Sequence, residues 1–179
     1  WDELTHYKNG KNILRYILSF GNLEYRSLGL PFHFGFYDTL AHFIALNFSS
    51  KYYVFSHHIT NLFFSIFAIF GIYQLTKFFF NKKLSKIVFI FSFINPIFFG
   101  HMAVNPKDTI IAFSYIWISL LILKYIKFQQ IYDKRKRYKY LIAIILALGL
   151  SIRLTFIGTL IHILIIFFLE IFMIKRINT

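Results

Sequence analysis

The chain contains no cysteine, which excludes disulfides, thiol nucleophiles and thiolate metal sites. Acidic residues are scarce. Seven Asp and Glu stand against twenty Lys and Arg, giving a formal net charge of +13. Charge of either sign is thin at 15%, where a soluble domain carries about 25%. Three prolines and eight glycines leave few obligatory breaks. No Walker loop, GxGxxG, GxSxG or HExxH occurs, so nucleotide-dependent chemistry has no support and no nucleotide cofactor is expected. There is also no internal repeat, low-complexity linker or stretch that reads as a soluble domain.

What fills the 179 residues is apolar surface. The chain is 58% hydrophobic and 22% aromatic, with 25 phenylalanines and a mean hydropathy of +0.60. This exceeds what one soluble core can absorb and points to lipid as solvent. The same composition, rich in Phe, Ile, Lys, Asn and Tyr, fits an AT-rich bacterial genome. In a soluble protein the basic excess would suggest nucleic acid. Here the lysines and arginines cluster at the ends of apolar runs, so we read them as anchors to anionic head groups, with no nucleic-acid partner. The first residue is Trp1, set directly before an acidic pair. We therefore expect a piece of a longer protein, with at least one span before Trp1 and more after Thr179.

The pattern predicts an all-α protein, a polytopic membrane helix bundle with amphipathic surface helices near its N-terminus. Residues 1–51 are of mixed polarity. Leu4, Tyr7, Leu14, Ile17 and Leu18 follow helical spacing interrupted by Asn9-Gly10, and Leu28-Gly29-Leu30-Pro31 is a break. Gly35 to Phe48 is again helical, with Phe36, Leu40, Phe43 and Ile44 on one face and Asp38 and His42 sharing another. These read as juxtamembrane helices lying on the bilayer surface. Residues 52–179 read as a bundle of about five spans: 52–80, then 86–104 broken near Asn95-Pro96, then 109–125. A basic loop follows over 124–139. The last apolar stretch, 140–173, is too long for one upright span and is split at Arg153 by a tight turn.

Basic residues set the orientation. Lys77, Lys82, Lys83 and Lys86, the cluster from Lys124 to Lys139, and Lys175 and Arg176 all fall on one side. The short loops opposite hold Lys107 and Arg153. The positive-inside rule makes the first side cytoplasmic. Residues 1–51, the loop His101 to Asp108, and Arg153 then face the periplasm of a bacterial inner membrane, or a lumen in a eukaryote.

Carboxylates beside a bilayer are costly and usually functional. Asp2 and Glu3 suit a general base or a carboxylate pair holding a divalent metal. They suit a helix cap equally well. In Asn105-Pro106-Lys107-Asp108, Asp108 can favour a helix start, yet Lys107 adds a point charge for phosphate that a cap does not require. Arg153, isolated among apolar residues, either meets an anion or snorkels to the surface. His57, His58 and His101 lie at outward helix ends, where they can bind substrate or simply be satisfied interfacial residues. His33, Asp38 and His42 form no known metal spacing and are read as structural. His162 and Glu170 are read as bundle or cytoplasmic-end residues without a role, and His6 receives none either.

Together, Asp2-Glu3 outside a presumed first span, surface helices after it, and an acid between later spans resemble the GT-C glycosyltransferases. The likeness is to the dolichyl-phosphate-mannose-protein mannosyltransferase and aminoarabinose-transferase group, with its RgtA/B/C/D-like domain. Pro96-Ile97-Phe98-Phe99-Gly100-His101 followed by Asn105-Pro106-Lys107-Asp108 is similar to that group's loop between later spans. Gly149 to Thr155, containing Arg153, is similar in kind. The resemblance implies an enzyme of GT-C-like fold that moves a sugar from a polyprenyl-phosphate carrier to an acceptor glycan, lipid or protein on the outer face, with inversion. Asp2 would be the base, with Glu3 supporting it and Asp108 organising the phosphate side or a divalent metal shared with Asp2. Lys107 and Arg153 would neutralise the leaving phosphate, with His57, His58 and His101 near the substrate. The competing expectations are a transporter or channel component, whose site would lie nearer the midplane, and a non-catalytic membrane subunit in which the acids are only caps.

Overall fold

The computed structural model describes residues 3–22, 35–48, 52–161, 163–165, 168–169 and 172. Among the described residues the chain is helical and has no strand. The elements are α1 (Glu3–Leu18), α2 (Phe36–Ala45), α3 (Tyr53–Phe79), α4 (Lys82–Phe93), α5 (Pro96–His101), α6 (Pro106–Lys127), α7 (Tyr132–Leu150) and the single turn α8 (Phe156–Thr159).

Asparagine starts three of these helices. Asn81, Asn95 and Asn105 accept hydrogen bonds from the amides of Leu84, Phe98 and Asp108. Each side chain satisfies one of the donors that a helix start leaves open. Pro96 and Pro106 follow at the first helical position, where a missing N–H costs nothing. The expected break at Asn95-Pro96 is therefore a cap and restart between α4 and α5.

Two helices, α3 and α6, are long and apolar enough to cross a membrane; 22% and 39% of their most apolar stretches are buried within the protein. The remainder displays apolar side chains outward, including Phe55, Phe63, Phe67 and Phe70 of α3. The other expected spans do not reach that standard among the described residues. α4 has 12 residues, and α7 opens with Tyr132 to Lys139, mostly charged. The stretch after Leu160 is only partly described.

Two sequence expectations need correction. Asn9-Gly10 does not interrupt the first helix, because α1 runs through it. The basic segment 124–139 is not a loop: α6 continues to Lys127 and α7 begins at Tyr132, leaving four connecting residues. Charged side chains facing solvent do not oppose helix, and Lys and Arg are good helix formers. The face of α2 shared by Asp38 and His42 is turned inward. Tyr37, Asp38, Ala41, His42 and Ala45 are buried, while Phe36 and Phe43 are exposed. The expected break at Leu28 to Pro31 lies outside the described residues.

α3 and α6 pack side by side and run parallel. At one end Asn61 Oδ1 lies 2.5 Å from Thr109 Oγ1, and Ser65 donates to the Met102 carbonyl. Further along, the Trp117 indole donates to the Phe67 carbonyl at 3.0 Å. At the far end the Lys127 ammonium sits 5.1 Å from the Phe78 ring centre. The lysine-bearing last turns of α3 and α6 thus share one end of the pair. The core joins α2, α3, α6 and α7 through Tyr37, Ala41, Ala68, Ile110, Phe113, Leu148 and Ile152. A second cluster, Ile118, Phe156, Leu160 and Ile163, seats the chain beyond α7. Tyr37 and Ala41 bring α2 into the first of these clusters.

Candidate functional site

The site is built at the end of the bundle opposite the lysine-rich turns, where α6 begins. Asn105 holds that turn twice, accepting from the Asp108 amide at 3.2 Å and donating to Asp108 Oδ2 at 2.8 Å. The cap is therefore Asn105, and Asp108 is left as an exposed acid of the first turn. Asp108 Oδ1 lies 3.8 Å from the Arg153 guanidinium. Arg153 occupies the turn between α7 and α8, as its place in the sequence leads one to expect. Both side chains are substantially exposed, so this pair contributes little to stability.

Lys107 and Asp108 are neighbours in sequence but serve different spaces, because successive residues of a helix lie about 100° apart around its axis. Asp108 lines a cleft of about 570 Å³ walled by Ile72 of α3, Ser92 of α4, Ile97, Phe98 and His101 of α5, and Ala112 of α6. Lys107 instead lines a small enclosed space with His6, Tyr37, Asp38, Ser151 and Ile152.

That second space holds a cluster which sequence reasoning passed over. Asp38 is 4% exposed, and both of its oxygens are engaged. Oδ1 lies 2.8 Å from His6 Nδ1, and Oδ2 accepts from Asn9 Nδ2 at 2.7 Å. Burial of a carboxylate is tolerated only with such partners. The adjacent Tyr37 hydroxyl is pushed well above its ordinary pKa by burial and then by the Asp38 charge. The signal available in the sequence was slight: His6 and Asn9 are three apart on one helix face, and Asp38 is an acid in an otherwise apolar helix.

The histidines separate. His58 Nδ1 is 2.9 Å from the Ala103 carbonyl, tying α3 to the turn before α6. His101 is exposed on the cleft and lies 3.3 Å from Asn105 Nδ2. His57 packs edge-on against Tyr7, 6.1 Å between ring centres, on the α1 side. His42 also meets Tyr7, at 5.1 Å. Its pKa is lowered by burial, then by Lys11 and Arg15.

Of the remaining candidates, Asp2, His33, His162 and Glu170 lie outside the described residues. Glu3 begins α1, and nothing is described of its side chain. One turn further on, His6 reaches the cavity that Pro106 and Lys107 line. The N-terminal helix and the proline-lysine turn thus meet. Among the described residues no three His, Asp or Glu form a metal-binding group. Asp108 is poorly suited to a cation, since one oxygen faces an amide donor and the other a guanidinium.

No known protein family, curated protein or solved structure matches this chain.

Proposed function

We propose that the chain is part of an integral membrane glycosyltransferase of GT-C type, with a polytopic bundle of about five spans. It transfers a sugar from a polyprenyl-phosphate carrier to an acceptor at the outer, periplasmic face of a bacterial inner membrane. The single observation that carries the reading is the cleft at the start of α6, lined by both apolar and polar side chains. Ile72, Ile97, Phe98 and Ala112 offer hydrocarbon, while His101, Asp108 and Arg153 stand at the same end. A lipid-linked phosphate has this division, a chain that prefers apolar surface and a head group that prefers donors.

In this reading Asp2 accepts the proton of the acceptor hydroxyl as its oxygen bonds to the anomeric carbon. The bond from that carbon to the phosphate oxygen breaks on the opposite face, and its electron pair leaves with the phosphate. Arg153, beside Asp108 at the cleft, offsets the charge that develops there, whereas Lys107 lines the separate space beside His6. His6 and Asp38 fix the first helix against the Lys107 turn.

The test is transfer in membranes holding the full chain, using labelled polyprenyl-phosphate sugars and endogenous acceptors. Asp2→Asn should lower transfer by at least about a hundredfold, the usual contribution of a positioned base. Arg153→Gln should raise KM for the donor while stability stays within about 1 kcal/mol, because its ion pair is exposed. Unaltered transfer by Asp2→Asn would refute the base. Movement of free sugar across the membrane without any transfer would favour a transporter.

A further inference from the structure

The lysine-rich end carries a second groove that the transferase reading does not use. It measures about 440 Å³ and lies between α3 and α4, lined by Phe70, Tyr73, Lys86, Phe89 and Ile90. Its aromatic walls are set against each other. Phe70 and Tyr73 stack at 5.9 Å between ring centres, and Tyr73 meets Phe89 edge-on at 6.2 Å. Lys86 is its one charged lining residue.

Among the described residues, the lysines around this groove have no ion-pair partner. Neither α3 nor α4 contains an Asp or Glu. Lys82 and Lys83 stand four and three residues before Lys86, on the same helix face. These lysines occupy the N-terminal part of α4, where the helix dipole disfavours cations, so local helix stability does not account for them. From Lys77, in the last turn of α3, the groove runs inward. Phe70 lies seven residues back along α3, about 10 Å at the helical rise. A polar, positively charged mouth and an apolar, aromatic floor thus follow one another along the axis of α3.

We propose that this groove is a binding site for an anionic phospholipid. One acyl chain lies over Phe70, Tyr73, Phe89 and Ile90, and the phosphate sits against Lys86 with Lys82 and Lys83 beside it. The inference rests on α3 and α4 lying in a bilayer and is independent of the transferase reading. Charge complementarity selects the lipid class: a zwitterionic head group carries its own cation to the lysines, whereas phosphatidylglycerol does not.

Trp117 provides the reporter. Its ring lies 6.4 Å from that of Phe70, and the chain's other tryptophan, Trp1, is removed as Trp1→Phe. The full chain is reconstituted in phosphatidylcholine vesicles, and its fluorescence is titrated with phosphatidylglycerol or phosphatidylcholine brominated on the acyl chain. Brominated phosphatidylglycerol should quench at lower mole fraction. Lys86→Gln should weaken that preference about fivefold, the effect of one lysine near an anionic head group. Lys86→Arg should restore it, and Lys136→Gln on α7 should leave it intact. Circular dichroism confirms that each variant keeps its helices. Equal quenching by the two lipids in the parent, an unchanged preference in Lys86→Gln, or an equal loss in Lys136→Gln would each overturn the site. Quenching by neither lipid would overturn it together with the membrane placement of α3. Loss of the lipid preference alone leaves the transferase reading untouched.

Discussion

Individual side chains carry the polar logic of this protein, and the buried group at the α1–α2 joint is the clearest case. Asp38 accepts from both His6 and Asn9, and a buried donor deprived of its acceptor costs about 1–3 kcal/mol. That cost specifies how α1 lies on α2. His42, on the same face of α2, is a counterweight. It is buried, its Nδ1 has no hydrogen-bond partner among the described residues, and Lys11 and Arg15 of α1 face it with like charge. Asp38 on its own helix and Tyr53 and His57 on α3 complete its surroundings. A histidine whose folded pKa lies below its ordinary value near 6.5 favours folding only while neutral. Its contribution is complete above pH 6.5 and declines as pH falls from there through the lowered folded value. We expect thermal stability in detergent to drop between pH 7 and pH 5, with His42→Gln flattening that part of the slope. An identical slope in the variant would show that another group titrates. None of this was legible in the sequence. There Asp38 and His42 showed only a shared face, and their partner His6, 32 residues before Asp38, was unremarkable.

Among the helices, close crossings are set by glycine. The sequence marks Asn9-Gly10 as an interruption. The structure makes it the point where α1 approaches α2, and a Cβ on Gly10 would collide with the Asp38 carbonyl and press on the His42 Cβ. Gly71 does the same for α3 against Ile116 and Trp117 of α6. In an open helix interior, Gly→Ala gains about 0.5–1 kcal/mol. At Gly10 the sign should invert, with Gly10→Ala costing about 1–3 kcal/mol by overpacking. Gly100, which has nothing within 4 Å of an added Cβ, is the control and should be neutral or gain. Unfolding curves in detergent for both variants decide the matter, and stabilisation by Gly10→Ala would contradict the crossing. Of the helix starts, the break at Asn95-Pro96 was readable in advance, whereas the start expected at Asp108 falls instead at Asn105-Pro106. Asn95-Pro96 and Asn105-Pro106 are local signals, and each became a cap followed by a helix. The basic run 124–139 misled because charge density indicates solvent exposure, which a helix entering the head-group region also has.

For the molecule as a whole, charge is segregated by end. The parallel course of α3 and α6 puts the lysine-rich turns together through Lys127 and Phe78, and puts Asp108, Arg153 and His101 at the other end. On the proposed membrane placement, that asymmetry sets the orientation, with the lysine-rich end cytoplasmic. Because the chain has no cysteine, single introduced cysteines report it cleanly. A membrane-impermeant maleimide should label Val104→Cys from the outer side of intact cells, and Lys83→Cys and Lys136→Cys only after the membrane is opened. Labelling of all three from one side would refute the orientation. The sequence by itself determined the helical class, the apolar lengths of α3 and α6, the break at Asn95 and the turn at Arg153. Those features depend on composition, caps and periodicity within a few residues. Only the tertiary structure decided that Lys107 and Asp108 serve separate spaces, that α2 turns Asp38 inward, and that His6 and Asn9 hold it there. Such outcomes depend on which distant helices lie against each other, and periodicity along one helix carries no information about its neighbour.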